Sequence, residues 1–190
     1  MKQSIKLIWA SLFFTMTLPA TANDSPYGAP NQSYERFADY AFFRGEWEAS
    51  ITIIRPDGAR QDIDAKSRIT AFYHGDGQTL QTCFRAPGFF STSLRAYDST
   101  ADLWRAHFLN AQLQRWSGFT IRKVGDTMET LVPGGFSGTE AFDVKTIEQN
   151  ITDTSFTSNV FRRAHGSDTW VQTYEMRYEK LPENPNGPQC

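Results

Sequence analysis

The chain has 190 residues, a formal net charge of −2 and 14% aromatic side chains, with 15 Phe and 5 Trp. A balance this close to neutral leaves no electrostatic footprint for nucleic acid or for an anionic membrane surface, so neither is expected as a partner. The length suits one domain with one core, and the aromatic content suits a packed β structure.

In chain order, the first segment reads as a targeting signal rather than as part of the fold. Lys2 and Lys6 precede an apolar run from Leu7 to Leu18, and Ala20 and Ala22 supply the small-x-small pattern of a signal-peptidase site. The run falls short of the roughly 20 residues a bilayer span needs. A secretory signal over 1–22 is expected, and with it a periplasmic or secreted mature chain without an integral membrane segment. Residues 23–33, "NDSPYGAPNQS", are polar and broken by Pro and Gly, and read as a flexible leader. The stretch "SYERFADYAFF" reads as one or two turns of helix. Ser33 is its candidate cap, and Phe37, Tyr40 and Ala41 share a face.

From Glu46 onward the pattern is strand and turn. Trp47, Ala49, Ile51 and Ile53 fall on alternate positions. Turn chemistry follows at "PDG" (56–58), "HGDG" (74–77), "APG" (86–88), "YDSTAD" (97–102), "NAQ" (110–112) and "VGD" (124–126). Trp104, Ala106 and Phe108 alternate with Arg105 and His107, and Trp170, Gln172, Tyr174, Met176 and Tyr178 share one face of the last strand. Short strands with no helical period between them predict an all-β antiparallel meander. Closing it into an up-and-down barrel of eight to ten strands removes its edges. The barrel domain is expected over 34–181, with 182–190 as a C-terminal tail.

Such a barrel needs a floor, which the Gly-x-Trp of "FFRGEW" can provide. Gly45 turns the chain from the helix into the first strand, and Trp47 closes the bottom with a flat ring. Arg163 and Arg177, on the last two strands, are the candidates to stack on that ring. Cys83 and Cys190 are expected to pair in an exported chain.

"FFRGEW" (42–47), "RPDGARQDI" (55–63), "GDGQTLQTCF" (75–84) and "SLRAYDSTADLWRAHFLN" (93–110) together carry a resemblance. The chain resembles the lipocalin and calycin superfamily, and looks most like the DUF1579-type families of uncharacterised bacterial proteins, over roughly Phe37 to Lys180. The resemblance implies a lipocalin-like β-barrel with a central cavity. It brings no settled activity and no catalytic residues.

Candidate chemistry is sparse. No two of His74, His107 and His165 sit at metal-ligand spacing, and neither Cys has a His or Cys neighbour, so no metal site is expected. His107 would face the interior only if the Trp104 face of its strand points outward. A single His without a second signature favours a hydrogen-bonded or surface role over haem ligation, and no cofactor is expected. "VPGGFSGTE" (132–140) lacks the Lys and the following helix of a phosphate loop and reads as a bulged turn. Glu129, Glu140 and Glu175 lie in strand-like runs, where solvent-facing carboxylates are common. "NVFRRAHG" (159–166) and "RAYD" (95–98) put Arg among aromatics, where it could grip a ligand carboxylate or equally stack on Trp47 as a structural lid.

The expected ligand is a small apolar molecule in the barrel interior. Its walls would come from Phe72, Phe84, Phe90, Leu94, Trp104 and Phe108, then from Trp116, Phe119, Tyr174 and Met176, with His107 joining them if its strand is in the opposite phase. Two alternatives stay open: a small-molecule enzyme on the same barrel, and a self-filled barrel that serves as an envelope interaction module. Nothing in the composition fixes an oligomeric state.

Overall fold

A computed structural model describes residues 25–137 and 140–190; the expected signal at 1–22 lies outside them. Among the described residues, a 3₁₀ helix (Glu35–Phe43) is followed by eleven strands. These are β1 (Gly45–Ile54), β2 (Arg60–Asp62), β3 (Ser67–Tyr73), β4 (Thr79–Ala86), β5 (Phe89–Asp98), β6 (Leu103–Asn110), β7 (Arg115–Val124), β8 (Thr127–Ser137), β9 (Glu140–Gln149), β10 (Ser155–Ala164) and β11 (Val171–Leu181). Strands β3 to β11 pair with their neighbours in sequence, β1 pairs with β3, and β1 also pairs with β11 from Glu46↔Leu181 to Ile53↔Tyr174. The result is a closed, antiparallel, up-and-down barrel of ten strands. Strand β2 lies on β1 beyond the end of β3, so β2 and β3 form one interrupted strand.

The predicted turns fall between these strands. At "PDG" the Gly58 N–H donates to the Arg55 carbonyl at 2.9 Å, and at "HGDG" the Gly77 N–H donates to the His74 carbonyl at 2.9 Å. No helix among the described residues is long and apolar enough to cross a membrane.

One end of the barrel is closed by the helix. With three residues per turn, a 3₁₀ helix lines up positions three apart, which aligns Phe37, Tyr40 and Phe43. Tyr40 and Phe43 are buried while Ala41 is exposed, so the inward face is not the one that α-helical spacing predicts. Ser33 is not the cap; that position belongs to Tyr34, which makes no side-chain cap bond. The helix is fastened instead by its flanks. The Tyr73 hydroxyl donates to the Phe37 carbonyl at 2.6 Å, and the buried Asp39 carboxylate accepts from the Trp104 indole at 3.3 Å and lies 3.4 Å from Lys123.

Beneath the helix lies an aromatic floor. Trp47 is fully buried, and its indole N–H donates to the Phe43 carbonyl at 2.8 Å. Phe156 meets Trp47 edge-on at 5.0 Å and stacks on Tyr178 at 4.1 Å. Trp104 meets Tyr40 edge-on at 5.3 Å. Such pairs each add about 0.5–1.5 kcal/mol beyond the area they bury. Gly45 stands at φ +118, and a side chain there would crowd the Lys180 methylenes.

The outer wall is clad by the two ends of the domain. The leader packs from Ser25 onward rather than hanging loose. Tyr27 is fully buried, its carbonyl accepts from the Tyr73 N–H at 2.9 Å, and its hydroxyl donates to Glu46 at 2.7 Å. The same hydroxyl accepts from the Asn184 N–H of the tail at 3.0 Å. Burial and the Glu46 carboxylate push its pKa up to about 12. Cys190 at the end of the tail is joined to Cys83 on the outer face of β4, across 107 residues of chain.

Candidate functional site

Above the floor the barrel is hollow. The alternation of each strand sends every second side chain inward, and the registers identify which ones. Ala71, Thr82, Ser93, Phe108 and Ser117 lie opposite one another in sequence around β3 to β7. Val144 and Thr146 continue the ring opposite Val132 and Thr130. All of these but Ala71 border a cavity of about 420 Å³, with Phe84, Phe89, Phe119 and Met176 as its large apolar walls. Hydroxyls from Ser91, Ser93, Ser117 and Ser158 interrupt the apolar surface. Larger hollows of about 590 and 550 Å³ lie elsewhere, the first lined by the outward-facing Glu46, Arg68 and Arg85, the second at the closed end by Asp39, Lys123 and Asp126.

The inner end of the cavity is polar. Arg95 of β5 faces inward, opposite Ala106 and Leu80. Its guanidinium lies 4.8 Å from the Tyr40 ring centroid and 5.4 Å from that of Phe43, and its Nε donates to the Ser93 hydroxyl at 3.3 Å. Glu148 of β9 faces inward between Met128 and Ser158, and only 6% of its surface is exposed. Three atoms of this group are buried without a hydrogen-bond partner among the described residues: Arg95 Nη1, Glu148 Oε2 and the Tyr40 hydroxyl. Burial pushes the Glu148 carboxyl up to about 7, against the opposing pull of Arg95 and Tyr40 on its charged form. Burial likewise raises the Tyr40 hydroxyl, as does the Glu148 charge.

The expected wall residues divide by strand phase. Phe84, Phe108, Phe119 and Met176 border the cavity. Tyr174 shares their inward face, opposite Ile53 and Val160, but lies beyond the lining. Trp104 is inward and buried, yet it belongs to the floor, packed on Tyr40 and Tyr97. The rest point outward. Phe72 pairs with Gln81 and stacks on His74; Phe90 lies under the Arg85 guanidinium, and Phe89 takes the inward place. Leu94 is 47% exposed opposite His107, and Trp116 is 66% exposed opposite Leu109. Because Trp104 faces inward, His107 must face solvent, and it is exposed.

The barrel-closing arginines are also corrected. Arg177 lies on the outer face beside Tyr178 and pairs with Glu175 at 2.9 Å. Arg163 is outward as well, with Asp143 at 2.9 Å and its guanidinium 4.5 Å from the Trp170 ring. The cation over Trp47 is Lys180, its cross-strand partner, 5.3 Å from the ring. Around Asp143, His165 at 2.9 Å, the Gly134 N–H and Arg163 hold the carboxyl down to about 2.

Glu148 was missed in the sequence, although Phe142, Val144, Thr146 and Glu148 alternate there. Glu129 and Glu175 lie on the other face of their strands, between the inward Met128 and Thr130 and beside Met176, and Glu140 is exposed at the start of β9. Among the described residues no group of three His, Cys, Asp or Glu side chains could hold a metal ion.

No family model matches the chain, so the resemblance to the DUF1579-type families rests on the quoted motifs alone. No curated protein matches it either. Among solved structures it is similar to Rv2717c from M. tuberculosis, at 12% identity over 78% of this chain and 98% of that one, with a TM-score of 0.49.

Proposed function

We propose that this protein is an exported, lipocalin-like barrel that binds a small, mostly apolar molecule in its interior, in the periplasm or outside the cell. The observation that carries the reading is the cavity of about 420 Å³, walled by Phe84, Phe89, Phe108, Phe119 and Met176. Ligand sites are of this size and character: apolar walls with a few placed polar groups. The hollow also argues against a self-filled barrel. Export is supported by the pattern of Lys2, Leu7–Leu18 and Ala20-x-Ala22, and by the Cys83–Cys190 bond, which suits an oxidising compartment.

The test is native mass spectrometry of the protein purified from its own host, followed by titration with decanol and an environment-sensitive apolar dye. A retained molecule, or dissociation constants below about 100 μM, is the expected result. The signal should weaken in Phe108→Ser. No retained mass and no binding of either probe would remove the reading.

A further inference from the structure

Resting on that reading, we propose that the ligand is a monocarboxylic acid with an apolar body, its head held by Arg95 and Glu148, and that one proton is taken up at Glu148 when it binds.

The argument begins with charge. Arg95 keeps its proton throughout the working pH range. It makes no ion pair within 4 Å among the described residues, and it faces a cavity whose walls are mostly apolar. Its Nε is taken by Ser93, while Nη1 is buried without an acceptor. Buried donors on a cation are normally satisfied by an anionic acceptor. Glu148 could be that acceptor, but it stands apart, with Oε2 also unpartnered. Burial favours its neutral form, which makes it an O–H donor. The end of the cavity therefore offers a fixed cation lacking an acceptor and a buried carboxyl that a bound anion would complete as an O–H donor. A carboxylate has two oxygens and one negative charge, so it can accept from Arg95 with one oxygen and from Glu148 with the other. A dianionic phosphate would bring more charge than one guanidinium balances. A neutral alcohol or amide would leave the guanidinium charge uncompensated.

The proton balance follows from the same geometry. A ligand carboxylate beside Glu148 favours its protonated form further. The titratable groups facing Glu148 are Arg95 from β5, Tyr40 from the helix and Tyr178 from β11. Both tyrosines have raised pKa values and stay neutral, so Glu148 is the group that takes the proton.

Calorimetry with decanoic acid, decanamide and decanol tests this on the full mature protein. At pH 7.5, in two buffers of different ionisation heat, decanoate should bind with uptake of about half to one proton. It should bind about tenfold more tightly than decanol or decanamide, and its affinity should fall about tenfold between pH 7 and pH 9. Arg95→Met should abolish the preference for the acid, and Glu148→Gln should flatten the pH profile. Decanol or decanamide binding as tightly as decanoate, or decanoate binding without proton uptake, overturns the inference while the binding reading stands. Failure of all three probes to bind removes both. The wild-type measurements decide the matter even if a variant does not fold.

Discussion

The indole N–H of Trp47 donates to the carbonyl of Phe43 at 2.8 Å, joining the first strand of the barrel to the last turn of the helix that closes it. The helix ends where its carbonyls lack internal partners, and Trp47 supplies one of them from below. Gly45 lets the chain reverse between the two residues at φ +118. The floor and the plug are thus one unit. Trp47→Ala should destabilise the protein by about 3–5 kcal/mol, as truncation of a buried aromatic does. Trp47→Phe keeps much of the packing but leaves the carbonyl unpaired, for a loss of about 1–3 kcal/mol. Denaturant unfolding of both variants checks the order; a Trp47→Phe protein as stable as the wild type would show that the hydrogen bond contributes nothing.

Tyr27 ties the leader, β1 and the tail together through Glu46 and Asn184. Tyr27→Phe removes both bonds and should cost about 1–3 kcal/mol. Gly28, at φ +64 against the Tyr73 carbonyl, has no room for a side chain, so Gly28→Ala should cost more than about 1 kcal/mol. Hydrogen exchange should then show the leader and tail opening together while the barrel stays protected.

The Cys83–Cys190 bond closes a loop of about the length for which the chain-entropy model gives roughly 4.7 kcal/mol. Tyr27 already holds the tail at Asn184, so part of that constraint survives reduction. Reducing the protein should lower its stability by about 2–4 kcal/mol. Combining reduction with Tyr27→Phe should lower it by more than the two separate effects together, because both hold the same tail. Additive melting shifts would show that the two fastenings are independent.

Glu148 makes the ligand-free protein sensitive to pH. Its folded pKa of about 7 lies above the usual carboxylate value near 4.3, so the folded state favours the protonated form. The stability this contributes is full below about pH 4 and is lost as pH rises through about 7. Glu148→Gln removes the dependence. The variant should match the wild type near pH 4 and exceed it by a few kcal/mol at pH 8. A constant difference across that range would mean that Glu148 does not titrate as its burial requires.

The outward residues supply a control. His107 is exposed on β6, and Trp116 is 66% exposed on β7. His107→Ala and Trp116→Ala should each change stability by no more than about 0.5 kcal/mol and leave decanol binding unaltered. A large loss of binding in either variant would place the ligand on the outer wall.

Much of this protein is legible in its sequence by itself. Pro, Gly and Asp mark the turns because they set the backbone angles a turn requires, and alternation between those marks makes strands. Meander order and closure follow from the absence of helical segments between them. Arg among aromatics is readable at both "RAYD" and "NVFRRAHG" for the same local reason, but the sequence does not say which of them enters the interior. The facing of each strand is a different kind of fact. Alternation separates two faces of β6 but does not say whether Trp104 or His107 looks inward; the pairing of Trp104 with Tyr97 and Ile121 around the closed ring decides that. In β11 the phase also changes within one run. A bulge opposite Val160 and Phe161 leaves Tyr174, Met176 and Tyr178 inward while Trp170 lies outside against Arg163 and Lys145. Glu148 took its character the same way: a carboxylate reads as solvent-facing until register places it between Met128 and Ser158, where burial leaves it unpartnered beside the cavity. Local chemistry determines where the chain bends and extends. Inside and outside are decided by ring closure, because a one-residue slip reverses every face, and only long-range pairing fixes that register.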